Sequence, residues 1–143
     1  MTYMKKLLID TNIIIDLLAK RKGFYRDAQE LFTLADEKNI SLFISALTFA
    51  NTYYVLSKYR NANETRKTLI KFKVLVEVLP LEDKIINLAL VSNFNDFEDA
   101  IQYHIALDNK LDIVITRNKK DFKNSEIPIF TAKEYLNRLR QSN

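Results

Sequence analysis

Asp10 ends the apolar run Leu7-Leu8-Ile9 and is followed by a second one, Ile13, Ile14, Leu17 and Leu18, with the i, i+4 spacing of a helix face. A carboxylate at such a joint must be capped, paired or bound to a cation, because an uncompensated buried charge takes up a proton instead. Three later stretches also place polar groups at strand ends or helix starts. NDFEDAIQYHIA (95–106) opens a helix with Asp96, Glu98 and Asp99, ITRNKKDF (115–122) follows a strand with Asn118 and Asp121, and SALTFANTYYVL (45–56) carries Asn51 inside an apolar helix. Carboxylates gathered at one place repel and rise in pKa unless a divalent cation neutralises them. A cation held that way activates a bound water, polarises a phosphoryl oxygen and steadies the leaving oxygen, so no protein nucleophile is needed. Each residue also has a plainer role open to it. Asp10 and Asp96 can cap helices, Asp99 can sit in a capped first turn, and Asp121 can serve a turn. Asn51 can be a hydrogen-bonded interior amide, and His104 a packing or surface residue.

The composition narrows the chemistry. Gly23 is the only glycine, so neither a P-loop nor a dinucleotide fingerprint can be written in this sequence. His104 is the only histidine and there is no cysteine, which excludes disulfides, thiolate nucleophiles and multi-histidine or cysteine zinc sites. Oxygen ligands remain, and they suit hard cations such as magnesium or manganese. The apolar run before Asp10 is three residues long, too short for a signal-peptide core, and no later run approaches membrane-spanning length. The expectation is a cytoplasmic chain with no membrane segment.

Charge is uneven around a formal net of +4. Residues 57–73 hold Lys58, Arg60, Arg66, Lys67, Lys71 and Lys73 against Glu64, whereas residues 77–99 hold six acids against Lys84. From Lys110 onward the chain is again basic, with Arg117, Lys119, Lys120, Lys123, Lys133, Arg138 and Arg140. A positive surface around an acidic pocket suits a polyanion brought to a cation, and it is equally the pattern of ordinary solvated helix faces.

The elements that must position these groups can be read from periodicity. Short runs of Val, Ile, Leu and Phe at 5–9, 42–44, 74–79, 113–115 and 127–130 read as strands covered on both faces. Helical patterns fill 13–19, 25–37, 47–59, 64–72, 82–91, 98–109 and 132–140. With 143 residues the chain fits one α/β domain, a central parallel sheet with helices on both sides, and the ligand site falls at the carboxyl ends of the strands.

At LLIDTNIIID, ISALTFANTYYVL, FEDAIQYHIA and IVITRNKKDF the chain resembles the PIN-domain nucleases, and within them the VapC-like toxins of bacterial toxin–antitoxin pairs. The four motifs occur in the family's order and span nearly the whole chain. The resemblance implies a five-stranded parallel sheet flanked by helices and endonucleolytic RNA cleavage with magnesium or manganese. It also implies a homodimer, and an antitoxin protein whose tail plugs the active site. By position, Asp10 and Asp99 are similar to the family's metal-binding aspartates, and Asp121 to its more variable fourth acid. Asn51 stands where most members have glutamate, as in an asparagine-bearing subgroup. It would serve as a neutral ligand or an indirect hydrogen-bonding group, and cation affinity falls with the charge so lost. Thr116 and Asn118 resemble the polar residues that place water or phosphate, and Lys58, Arg60, Arg117, Lys119 and Lys120, in basic segments running to Lys73 and Lys123, would grip the RNA backbone.

Two other readings make different predictions. A non-catalytic module of the same fold would retain RNA or a protein partner without cutting, indifferent to chelator. A magnesium phosphotransferase would release phosphate from small monoesters, although the first strand ends in DTN and lacks the second carboxylate of a DxD phosphatase. The aromatics of the helix at 47–59 offer a dimer face or an antitoxin groove at Tyr54 and Tyr59, and core packing at Phe49 and Tyr53.

Overall fold

The computed structural model describes residues 3–122 and 124–141; Lys123, named above in the basic tail, lies outside the described residues. Strand β1 (Lys6–Ile9) leads into α1 (Thr11–Leu18) and α2 (Tyr25–Asp36), then β2 (Ser41–Ser45), α3 (Ala46–Leu56), α4 (Ala62–Lys73) and β3 (Glu77–Leu79). After it come α5 (Asp83–Leu90), α6 (Phe97–Asp108), β4 (Ile113–Ile115), a 3-10 turn (Lys119–Phe122), β5 (Ile129–Phe130) and α7 (Ala132–Gln141). The strands form one five-stranded sheet in the order β3-β2-β1-β4-β5, parallel throughout.

Alternation along the strands explains why they read as unbroken apolar runs. Leu7, Ile9, Leu42, Ile44, Ile113 and Ile115 pack on one face with α1, α2, α4 and α7. Leu8, Phe43 and Val114 pack on the other with α5 and α6. Both faces are covered, so neither set of alternate residues is polar. The register Leu7↔Ile113, Leu8↔Val114, Ile9↔Ile115 keeps β1 and β4 in step. The Asp10 N–H then donates to the Ile115 carbonyl at 3.0 Å and carries the ladder one residue further, which fixes Asp10 beside Thr116. Strand order reverses at β1, with β2 on one side and β4 on the other, so the crevice at the carboxyl ends opens where Asp10 stands.

Two strands are shorter than the apolar runs suggested. The run at 74–79 yields only Glu77–Leu79, because α4 continues through Lys73 with Val74 as its C-cap, 84% exposed. The run at 127–130 yields only Ile129–Phe130: Pro128 has no N–H for the ladder, although its carbonyl accepts from Val114 at 3.0 Å. Helix α3 stops at Leu56, short of Tyr59, and α1 starts at Thr11 under its Asp10 cap. Phe49 and Tyr53 pack against the core, as expected, while Tyr54 and Tyr59 are exposed.

Candidate active site

Asp10 caps α1 by accepting the Thr11 N–H on Oδ1 at 2.7 Å, and its Oδ2 accepts from the Thr116 hydroxyl at 2.7 Å. The same hydroxyl oxygen accepts the Asn118 N–H at 3.0 Å, and the Asn118 carbonyl accepts the Asp121 N–H at 3.1 Å. This relay winds the segment after β4 into the 3-10 turn that carries Asp121. Phe122, 2% exposed, anchors the turn in the core with its ring edge-on to Phe94 at 5.9 Å. From the other side, Asp96 caps α6 by accepting the Asp99 N–H at 2.9 Å. The capping roles open to Asp10 and Asp96 are therefore real, and they orient the carboxylates rather than exclude further chemistry.

These groups share one cleft of about 300 Å³, lined by Asp10, Thr11, Asn12, Ile15, Arg21, Val55, Asp96, Glu98, Asp99, Asn118 and Asp121. Asp10 and Asp99 are each 8% exposed, so both carboxyls lie in poorly solvated surroundings. Burial raises the pKa of Asp10, against hydrogen bonds from Thr116 and Thr11 that lower it; the charges of Asp96 and Asp121 raise it again. Asp99 is pushed up to about 7, first by burial and then by the charges of Asp10, Asp96, Asp121 and Glu98. Every charge acting on it is negative, which is the condition under which a site favours a cation or a proton.

Among the described residues no three acidic or histidine side chains group closely enough to enclose a metal ion by themselves. Two buried carboxylates with water completing the shell is nevertheless the arrangement magnesium adopts, since it dehydrates reluctantly and takes one or two protein carboxylates. Asp10 and Asp99 fit that role, with Asp96, Glu98 and Asp121 adding negative field around them.

Asn51 is half-buried on α3, one helical turn before Val55, and is not among the described residues that line the cleft. The buried α3 groups next to the site are instead threonines. The Thr48 hydroxyl accepts from Thr11 Oγ1 at 3.2 Å and from the Gln102 amide, and the Thr52 hydroxyl donates to the Thr48 carbonyl at 2.8 Å. This link joins α1, α3 and α6 beneath the cleft and was not visible in the sequence, where Thr48 and Gln102 sit 54 positions apart. Arg21 and Asn12 were likewise missed as lining residues. For Asp96, the i, i+3 spacing to Asp99 was a usable signal.

The basic residues divide sharply. Lys58 and Lys120 are exposed. Lys119 pairs at the surface with Glu134 at 2.9 Å. Arg60 donates to the Leu18 carbonyl at 2.7 Å and to Thr68 at 2.9 Å, tying the end of α3 to α1 and α4. Arg117 donates to Asp16 at 3.1 Å and stacks 4.0 Å from the centroid of Phe24. His104 is on α6 but is not one of the cleft residues, and burial lowers its pKa.

A sequence profile of the PIN domain matches residues 6–120, from β1 into the 3-10 turn. The chain belongs to the PIN-domain family. The motif ends that built the cleft, Asp10, Asp99 and Asn118, all fall inside the matched span. Among relatives of this PIN domain, ribonuclease VapC1 of Aquifex aeolicus is 25% identical over 142 residues, covering 94% of this chain and 95% of that one. A toxin–antitoxin complex from Klebsiella pneumoniae contains a chain 28% identical with a TM-score of 0.65, covering 88% of this chain and 97% of its own. In the DNA-bound VapBC of Salmonella typhimurium a chain 20% identical, covering 90% of this chain and 99% of that one at a TM-score of 0.66, has the same fold. No helix among the described residues is long and apolar enough to cross a membrane.

Proposed function

We propose that this PIN domain is a metal-dependent endoribonuclease, the toxin of a toxin–antitoxin pair. The observation that carries the reading is the convergence of Asp10, Asp99 and Asp121 on one cleft in which Asp99 is raised to about 7. The names of the Aquifex aeolicus and Klebsiella pneumoniae relatives support the RNA substrate and the antitoxin partner respectively. Magnesium or manganese is the cation in this reading, the working unit is a homodimer, and the compartment is the cytoplasm.

When bound, the cation supplies Lewis acidity to a phosphodiester oxygen and lowers the pKa of water. The chain's own groups do the rest. Asp10 and Asp99 would supply the ligating oxygens, and the hydrogen bonds from Thr116 and the Thr11 N–H favour the ionised form of Asp10 against its burial and aim it. Asp121, held by the Asn118 carbonyl, orients the attacking water; Asn118 helps to place water or phosphate; Asn51 acts indirectly, as a neutral hydrogen-bonding group. Lys58, Lys119 and Lys120 line the approach of the RNA backbone, whereas Arg60 and Arg117 support that surface through their internal partners.

The test is manganese binding by calorimetry on the wild-type chain and on Asp10→Asn, which needs no guess about the RNA. The wild type binds and the variant does not. Absence of binding by the wild type, even with a short RNA present, would transfer the reading to a non-catalytic RNA- or protein-binding module.

A further inference from the structure

Arg21 is the only basic side chain among the described residues that line the acidic cleft. Its position follows from the chain's exit from α1. Lys20 adopts a left-handed conformation, φ 51°, and the Arg21 N–H returns to the Asp16 carbonyl at 3.1 Å while the Arg21 carbonyl accepts from Tyr25 at 2.9 Å. The backbone is pinned at both ends, but the guanidinium is not. It stands 3.8 Å from Asp16 Oδ1, beyond hydrogen-bonding range, and its side chain is 40% exposed.

Asp16 does not depend on it. That carboxylate is 1% exposed and takes its close partner from Arg117 at 3.1 Å. Burial raises the pKa of Asp16, and Arg117 opposes this more strongly than Arg21. Turning Arg21 away would therefore leave no unpaired buried charge behind, which is the condition that makes breaking an ion pair expensive. Nor does Arg21 neutralise the reactive carboxylates, since among the described residues its ion pair is with Asp16 and not with Asp10 or Asp99.

A cation held only by a long ion pair, lining an otherwise negative cleft, matches a phosphate that has to pass that field. We propose that Arg21 grips an RNA phosphate beside the scissile one, its guanidinium leaving Asp16 to Arg117 and offering paired donors to the phosphate oxygens. The inference rests on the ribonuclease reading and adds a substrate-binding residue that reading does not include. In this role Arg21 is worth more to the bound RNA than to the fold.

The experiment compares Asp10→Asn with Asp10→Asn/Arg21→Ala, reading affinity for a short fluorescein-labelled single-stranded RNA of mixed sequence across a salt series. Asp10→Asn/Lys22→Ala removes a neighbouring exposed charge as a control. Loss of Arg21 lowers affinity severalfold and makes the log–log salt slope shallower by about 0.7, the value of one phosphate contact on a single strand. The Lys22 control leaves the slope unchanged, Arg21→Lys restores part of the affinity, and the melting temperature does not move. An unchanged slope, an equal effect from Lys22→Ala, or a melting temperature that drops while the slope holds would each overturn the inference. Should Asp10→Asn cleave RNA as the wild type does, the ribonuclease reading itself fails; a cleavage-dead Asp10→Asn with no Arg21 effect overturns only the role given to Arg21.

Discussion

Replacing Asp99 with asparagine should make the metal-free protein more stable at alkaline pH. Burial and the surrounding acids raise the Asp99 pKa from 3.8 to about 7. Over that window the unfolded chain has released its proton while the folded chain still holds one, so this group makes stability fall as pH rises from about 4 to about 7 and level off above. A shift of roughly three units corresponds to about 4 kcal/mol as an upper limit, and because one side of the site is open to water about half of that is the better expectation. For a chain of this size ~2 kcal/mol moves the melting temperature by roughly 6 °C. The assay is thermal unfolding in EDTA at a series of pH values. Asp99→Asn melts higher than wild type at pH 8 by about that margin, and the two curves converge toward pH 4. Manganese should then reverse the order, since a ligand at a hundredfold excess over its Kd stabilises by about 3 kcal/mol and only the wild type retains both carboxylates. If Asp99→Asn gained nothing at pH 8 in EDTA, or if manganese raised both proteins equally, the picture of a strained carboxylate pair relieved by a cation would be wrong.

Other perturbations test separate parts of the account. Thr116→Val removes a hydrogen bond that lowers the Asp10 pKa, so that pKa rises and the acidic limb of the pH–rate profile for RNA cleavage moves to higher pH; an unmoved limb would count against Thr116 as a group that favours the ionised form of Asp10. Asp16→Ala leaves Arg117 without its carboxylate and lowers stability by about 2–4 kcal/mol in urea unfolding; wild-type stability would show that the Asp16–Arg117 pair is not structural. Leu8→Ala, at a position with no exposure on the α5–α6 face of the sheet, should cost about 2–5 kcal/mol. His104→Gln should leave the pH–rate profile unchanged, and loss of a limb would make the only histidine a proton carrier after all.

The legible part of the fold was what two-sided burial dictates. Strands β1, β2 and β4 are apolar on both faces because helices cover both, and that produces unbroken runs that cannot be mistaken for amphipathic helix. At residues 74–79 the same rule misled: Val74 is the C-cap of α4 and Leu75 lies in the turn after it, and an apolar run of that length carries no periodicity to separate a helix terminus from a strand. Lys119–Phe122 gave no helical signal because one short 3-10 turn has no repeating apolar face, yet it positions Asp121. At the site, residues that follow strands or open helices were readable because topology sends those positions to one edge. Asp10, Asp99, Asn118 and Asp121 line one cleft there, and Thr116 lies behind them as a donor to Asp10. Asn51 did not reach the cleft wall, since a polar residue within an apolar helix carries no information on which way that helix is turned. Arg21 and the Thr11–Thr48–Gln102 link depend on how α1 sits against α3 and α6, which no local pattern encodes.

The proposed function requires that Asp10 and its neighbours hold a cation with which the chain cuts RNA. Its most direct test is cleavage of a mixed RNA pool by wild type and Asp10→Asn, each with manganese and with EDTA, read as new internal ends. Internal cleavage is expected from the wild type with manganese only, and none from Asp10→Asn while its melting curve stays cooperative. Cleavage by Asp10→Asn at the wild-type rate, or cleavage by the wild type that persists in EDTA, would contradict it.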